Sequence, residues 1–194
     1  MEQRANKRTK LWTVAWTSLI PALLWGSVAF GQNYPDFTGT WTLDRDRSDI
    51  IDPILEVFGI GHFKRSVAPT LPFVVKIRME DNALEVDVQS SIFYKRHDRV
   101  PLDARVGQSS DFDGNPTYLF SRWEDNGQTL ITDFEMTARD GGLCLVTIRR
   151  YLLDSTEEMM KVITLRRPDG STATMKRVFV REPGTGEVSA TARR

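Results

Sequence analysis

The chain has 194 residues, with 26 lysines and arginines against 26 aspartates and glutamates, so its formal net charge is zero. That balance implies no broad, nonspecific attraction to nucleic acid, and a single cysteine, Cys144, excludes an intramolecular disulfide. The fold must be held by its core, and the length suits one domain.

MEQRANKRTK is basic and polar, and LWTVAWTSLIPALLWGSVAF, Leu11 to Phe30, carries no charge. A positive start, an apolar run and a small-residue end at Ala29-Phe30-Gly31 read as a secretory signal peptide over 1–31, cut before Gln32. The competing reading is a retained anchor, because the run is long enough to cross a bilayer of about 30 Å. Pro21 and the small residues favour cleavage. The expected product is exported, to a periplasm or beyond the cell, and keeps no membrane span. Trp12, Trp16 and Trp25 belong to this leader and not to the fold.

FTGTWTL, Phe37 to Leu43, reads as a first strand. The helical signals lie between Ser48 and Val67: Asp52 as cap, Pro53 in the first turn, and Gly59 or Gly61 as terminator. From Leu71 the period changes to two. PFVVKIRME turns at Asp81-Asn82 into ALEVDVQSSIF, where Leu84, Val86 and Val88 alternate with Glu85, Asp87 and Gln89. YKRHDRVPL is a further strand with Pro101 near its end, and QSSDFDGNP, Gln108 to Pro116, reads as a loop. YLFSRWE, QTLITDFEMT, GLCLVTIRRYLL, EEMMKVITLRR and TATMKRVFVRE follow as strands between polar turns. The polar tail, 184–194, is expected to be disordered.

One strand, a helical segment and then roughly nine strands without βαβ alternation predict an all-β, up-and-down antiparallel barrel of about ten strands over 32–183. Closure removes the sheet edges. The helices after the first strand are expected to cover one end, with Phe58, Ile60 and Phe63 as the underside of a lid.

FTGTWTL with Gly39 and Trp41, DPILEVFGIG, Ala68 and Pro72 before the next strand, SRWEDNGQTL and MKRVFVRE occur in an order that resembles the calycins. Within them, the chain is similar to the lipocalin-like cytosolic fatty-acid-binding proteins. The resemblance implies a barrel holding a fatty-acid carboxylate on an arginine and a tyrosine two apart on the last strand, with an arginine from an earlier one. Here the last strand offers Arg177 and Phe179, so the charge is present and the hydroxyl is not. About nine residues after Trp123, where the earlier arginine is implied, stands Thr132-Asp133-Phe134; Arg149 or Arg150, beside Tyr151, is the alternative. A signal peptide departs from the cytosolic family and points to an exported relative.

Ala173, Met175, Arg177 and Phe179 share one face of the last strand. If that face is internal, Arg177 needs a partner, either a ligand carboxylate or an acid such as Asp133. Arg150 shares the more apolar face of its strand with Cys144, Val146, Ile148 and Leu152, which places it inside and Arg149 outside. Met159, Met160 and Met175 are candidate lining for a lipid chain, and Trp41 is a packing residue at the closed end. His62 and His97 lack metal-ligand spacing, DFDGN lacks most of a calcium loop, and there is no G-x-S-x-G elbow, P-loop or dinucleotide fingerprint. No metal, cofactor or catalytic group is expected. The sequence therefore predicts noncatalytic binding of a small apolar or amphipathic ligand by Arg177, Phe179, Arg150, Met175 and Phe58. The alternative is an envelope interaction protein whose barrel is filled by its own side chains.

Overall fold

The computed structural model divides the chain into two units, Met1–Gly31 and Gln32–Arg194. It describes residues 34–90, 94–111 and 114–184, all in the second unit. The expected signal peptide, the middle of DFDGN and the tail past Gly184 lie outside the described residues.

Ten antiparallel strands form a closed barrel. They are β1 (Gly39–Asp44), β2 (Val74–Glu80), β3 (Ala83–Ser90), β4 (Tyr94–Pro101), β5 (Val106–Ser110), β6 (Pro116–Glu124), β7 (Thr129–Thr137), β8 (Leu143–Leu152), β9 (Glu158–Arg166) and β10 (Thr172–Arg181). Each strand pairs with its neighbours in sequence, and β1 closes the ring against β10 through Trp41↔Arg181 to Asp44↔Val178. Two short helices, α1 (Asp52–Val57) and α2 (His62–Val67), connect β1 to β2. The two-residue period of the sequence becomes the two faces of the wall: Leu84, Val86 and Val88 are buried inside, whereas Gln89 is exposed. At the β2–β3 turn, Asp81 and Asn82 hold φ of 46° and 58°, the positive pair that suits a two-residue hairpin.

One end of the barrel is closed by aromatic packing. Phe37 and Trp41 are 1% and 0% exposed, and the Trp41 indole donates to the Phe37 carbonyl at 2.9 Å. Trp123 stacks on Tyr34 with ring centroids 4.3 Å apart, and its indole donates to the Leu102 carbonyl. The helices lie at the other end, tied to its turns. The Arg139 amide donates to the Phe58 carbonyl, and the Arg167 guanidinium donates to that of Val57, each at 3.0 Å.

The lid differs from expectation in two details. Asp52 is the first helical residue and does not cap; Ile51 occupies the cap position, with Pro53 in the first turn where no amide is needed. Of the two candidate terminators, Gly59, at φ 73°, follows the end of α1 as expected, and Gly61 precedes α2 as its cap residue. Ile54 and Phe58 are buried beneath α1 and Ile60 packs partly against the core, whereas Phe63 is 79% exposed. Phe63 is therefore no part of the underside, because α2 buries none of its residues.

The stretch read as a loop from Gln108 also hides a strand. β5 extends from Val106 to Ser110 and pairs with β6 from Val106↔Phe120 to Ser110↔Pro116. Its pattern escapes a hydrophobic reading because the inward positions are Gly107 and Ser109, while Val106 on the outside is 67% exposed. A Cβ on Gly107 would lie 2.2 Å from the Arg99 carbonyl oxygen, so close strand approach selects glycine there.

Candidate functional site

Strands β8, β9 and β10 give the inner wall its chemistry. Cys144, Val146, Ile148 and Arg150 face inward from β8; Met159, Lys161, Ile163 and Leu165 from β9; Ala173, Met175, Arg177 and Phe179 from β10. The register sets Arg150 opposite Lys161, and Lys161 opposite Arg177. Three cations thus form one cross-strand row, 2%, 7% and 7% exposed. The row runs diagonally. The Arg150 guanidinium lies 6.0 Å from the centre of the Phe37 ring near the aromatic end, and that of Arg177 lies 5.4 Å from the centre of the Phe73 ring, just before β2.

The row is poorly satisfied. Nε and Nη1 of Arg150 and Nε of Arg177 are buried without a hydrogen-bond partner, and Arg177 makes one weak contact, 3.7 Å to the Met175 sulfur. Lys161 makes no hydrogen bond or ion pair among the described residues. Burial depresses both arginines to about 10, so they stay charged at neutral pH. Burial, followed by the charges of Arg150 and Arg96, lowers Lys161 to about 7.

An internal acid exists, but it is committed elsewhere. Asp98 on β4 faces inward beside Arg96, which grips it with two bonds of 2.7 and 2.8 Å, and the Ser109 hydroxyl donates to it at 2.5 Å. Burial pushes the Asp98 carboxyl up, but Arg96, Ser109 and Lys161 outweigh it and hold the group ionised. Arg96 also lies over the Phe134 ring at 4.6 Å. Asp133, the acid considered from sequence as a partner for Arg177, faces outward and pairs with Arg122 and Thr147.

The structure brings Arg150, Met175, Arg177 and Phe179 to one inner wall and places Phe58 under the lid. It keeps Arg149 outside, bonded to Glu124 at 3.0 Å. Met160 also leaves the expected lining, because it pairs with Tyr151 and Val178 on the outer face; Met159 and Met175 remain inside. Sequence reading missed Lys161. Its face, with Met159, Ile163 and Leu165, is more apolar than the face with Met160, Val162, Thr164 and Arg166, which was the available signal.

No protein-family model and no curated protein matches the chain. Solved structures do. A structure described as the REP1-NXSQ fatty acid transporter aligns with a TM-score of 0.58 at 16% identity, covering 76% of this chain and 96% of that one. Apo lipid binding protein 8 of Caenorhabditis elegans aligns at 0.57 and 17% identity, over 76% and 96%. The Schistosoma mansoni fatty acid binding protein, in complex with arachidonic acid, aligns at 0.55 and 16%, over 76% and 96%. The chain has the fold of the fatty-acid-binding proteins.

Recesses open on the outside of the barrel among the described residues. One, of about 430 Å³, is lined by Arg78, Glu85, His97, Arg99, Gln108 and Ser109, among others. Another, of about 240 Å³, lies against Glu135, Leu145 and Arg166. The cations of the first are paired: Arg99 with Glu85, Arg78 with neighbouring Asp87 at 2.9 Å, and His97 with both Asp87 and Glu85. His97 and Asp98 thus stand on opposite sides of the wall, which separates them as a dyad. Among the described residues no group of three His, Cys, Asp or Glu is placed to hold a metal, and no helix is long and apolar enough to cross a membrane.

Proposed function

We propose that the protein is an exported, noncatalytic carrier of a fatty-acid-like or other apolar ligand, held inside the barrel with its acidic end at Arg177 and Arg150. The observation that carries this reading is the burial of both guanidinium groups on the inner wall with nitrogens left without partners. An uncompensated buried charge costs several kcal/mol, and a ligand anion offsets that cost. The bidentate fork of arginine suits a carboxylate. Met175 and Phe179 flank Arg177 on the same face, where an apolar tail gains roughly 25 cal/mol for each Å² removed from water. Phe58 closes the lid side. Solved proteins of this fold are described as a fatty acid transporter and as a complex with arachidonic acid, which supports the same ligand class. Export rests on the basic start, the uncharged run from Leu11 to Phe30 and the small residues before Gln32.

A second reading, an envelope interaction protein with a filled barrel, is favoured by one feature. Phe37, Trp41, Leu84, Leu119, Leu130 and Phe179 pack the interior at 2% exposure or less.

Native mass spectrometry of the protein isolated from its own host, without delipidation, decides between them. The carrier reading expects a chain beginning at Gln32 with a bound species that disappears on Arg177→Ala. A ligand-free mass and no uptake of added fatty acids would transfer the assignment to the interaction protein.

A further inference from the structure

The row on the inner wall has more positive charge than a simple fatty acid uses. Arg96 is neutralised by Asp98. Arg150, Lys161 and Arg177 have no carboxylate in ion-pair contact among the described residues, and they occupy successive positions across β8, β9 and β10. Cross-strand neighbours stand about 5 Å apart at their backbones, and all three side chains enter the barrel from adjacent strands. A carboxylate brings one charge and two oxygens. It can be gripped by two of these groups, which leaves the third without a ligand oxygen.

We propose that Arg150, Lys161 and Arg177 together bind a doubly charged head group, a phosphate monoester or a pair of carboxylates on one carbon, carried on an apolar tail. This rests on the carrier reading above and names the ligand class of the same site. A phosphate monoester presents three terminal oxygens and nearly two charges. The two arginines take oxygens from opposite sides and the ammonium takes the position between them. Lys161 is the element that separates such a head from a monocarboxylate, because it adds the third donor in the middle of the row. Its environment also couples binding to a proton. Desolvation among fixed positive charges leaves the free amine largely neutral above neutral pH, and an arriving dianion reverses the sign of that field. The ligand and one proton then bind together.

The test is calorimetry on the protein isolated from its host and stripped of lipid, at about pH 8, where a phosphate monoester is a dianion. The probes are dodecyl phosphate, dodecylmalonate, dodecanoate, dodecanol and inorganic phosphate. The expected result is that dodecyl phosphate and dodecylmalonate bind at least about tenfold more tightly than dodecanoate. Measured in buffers of different ionisation enthalpy, their binding takes up about one proton. Lys161→Met removes both the preference and the proton uptake. Lys176→Met, on the outer face of β10, keeps both. Equal affinity for dodecanoate and dodecyl phosphate, or a preference that survives Lys161→Met, would overturn the dianion assignment and leave the carrier reading intact. Binding by dodecyl phosphate alone of the two dianions identifies phosphate as the source, and binding by dodecylmalonate alone identifies paired carboxylates. Inorganic phosphate binding as tightly as dodecyl phosphate would overturn the requirement for a tail. No binding by any of the alkyl probes would overturn the carrier reading itself, and this proposal with it.

Discussion

Lys161 of β9 stands opposite Arg177 of β10 in the antiparallel register, and both side chains are buried on the inner wall of the barrel. Two like charges in that relationship repel, and Arg150 on the other flank of Lys161 adds a third. The free protein therefore has a destabilised interior at the place where a ligand is proposed to bind. Stability and binding pull in opposite directions at this row, as they do at many functional sites.

The first prediction follows from the sign of that conflict. Lys161 is lowered from 10.5 to about 7 by burial, then by Arg150 and Arg96, with Asp98 the only opposing charge and Arg177 adding to the repulsion. The unfolded chain thus binds more protons than the folded one between those two values, and stability rises with pH across that window. Below about 7 both states are protonated and the full penalty is present. Lys161→Met should stabilise the ligand-free protein by a few kcal/mol near neutral pH and flatten its pH dependence from there to about 10. Urea unfolding at several pH values checks this. A variant less stable than the parent at neutral pH would mean that Lys161 has a compensating partner in the folded state.

Much of this architecture is legible in the sequence because hairpin turns and two-residue alternation are local signals. Asp81-Asn82 marks its turn by the positive φ that both residues adopt, and Cys144, Val146 and Ile148 identify the inner face of β8, which in turn places Arg150 inside. The misses share a cause. β5 has Gly107 and Ser109 inward, so the face that should be apolar is small and polar, for reasons of strand approach and of the bond to Asp98. Asp52 resembles a helix cap, but the chain enters α1 one residue earlier. Phe63 is apolar without being buried, because α2 buries none of its residues. The row of cations is nonlocal. Arg150, Lys161 and Arg177 are separated by turns of different length, and only the register across three strands shows that they are neighbours.

The second prediction concerns the seam between β4 and β5, whose ladder has a single residue pair, Arg99↔Gln108. Gly107 allows the strands to meet there. A methyl group at this position would lie 2.2 Å from the Arg99 carbonyl oxygen, 2.5 Å from Leu119 Cδ1 and 2.5 Å from Pro101 Cδ. Two of those neighbours belong to the β4 strand, so relief requires the strands to separate. Gly107→Ala should cost about 1–3 kcal/mol or more and accelerate amide exchange along β5. Gly61→Ala is the control, because nothing lies within 4 Å of its added Cβ; its cost should stay below about 1 kcal/mol. Comparable losses in the two variants would remove the steric argument.

The third prediction lies on the outer wall. His97 has Asp87 Oδ1 at 2.8 Å from Nδ1 and Glu85 Oε2 at 2.9 Å from Nε2, while Arg78 and Arg99 hold the same carboxylates from either side. The hydrogen bond to Asp87 is the largest influence on the imidazole. It outweighs partial burial and, together with the charges of Asp87 and Glu85, raises the group above its ordinary 6.5. A raised folded value means that this contact stabilises the protein fully below 6.5 and ceases to do so as pH rises through the folded value. Because His97 is more than half exposed, salt screens part of the effect. Proton NMR should find the His97 resonances titrating above 6.5 and moving down toward it in Asp87→Asn, with a smaller upward displacement at high salt. A midpoint at or below 6.5 in the parent, or one indifferent to Asp87→Asn, would show that the Asp87–His97 bond is not formed in solution.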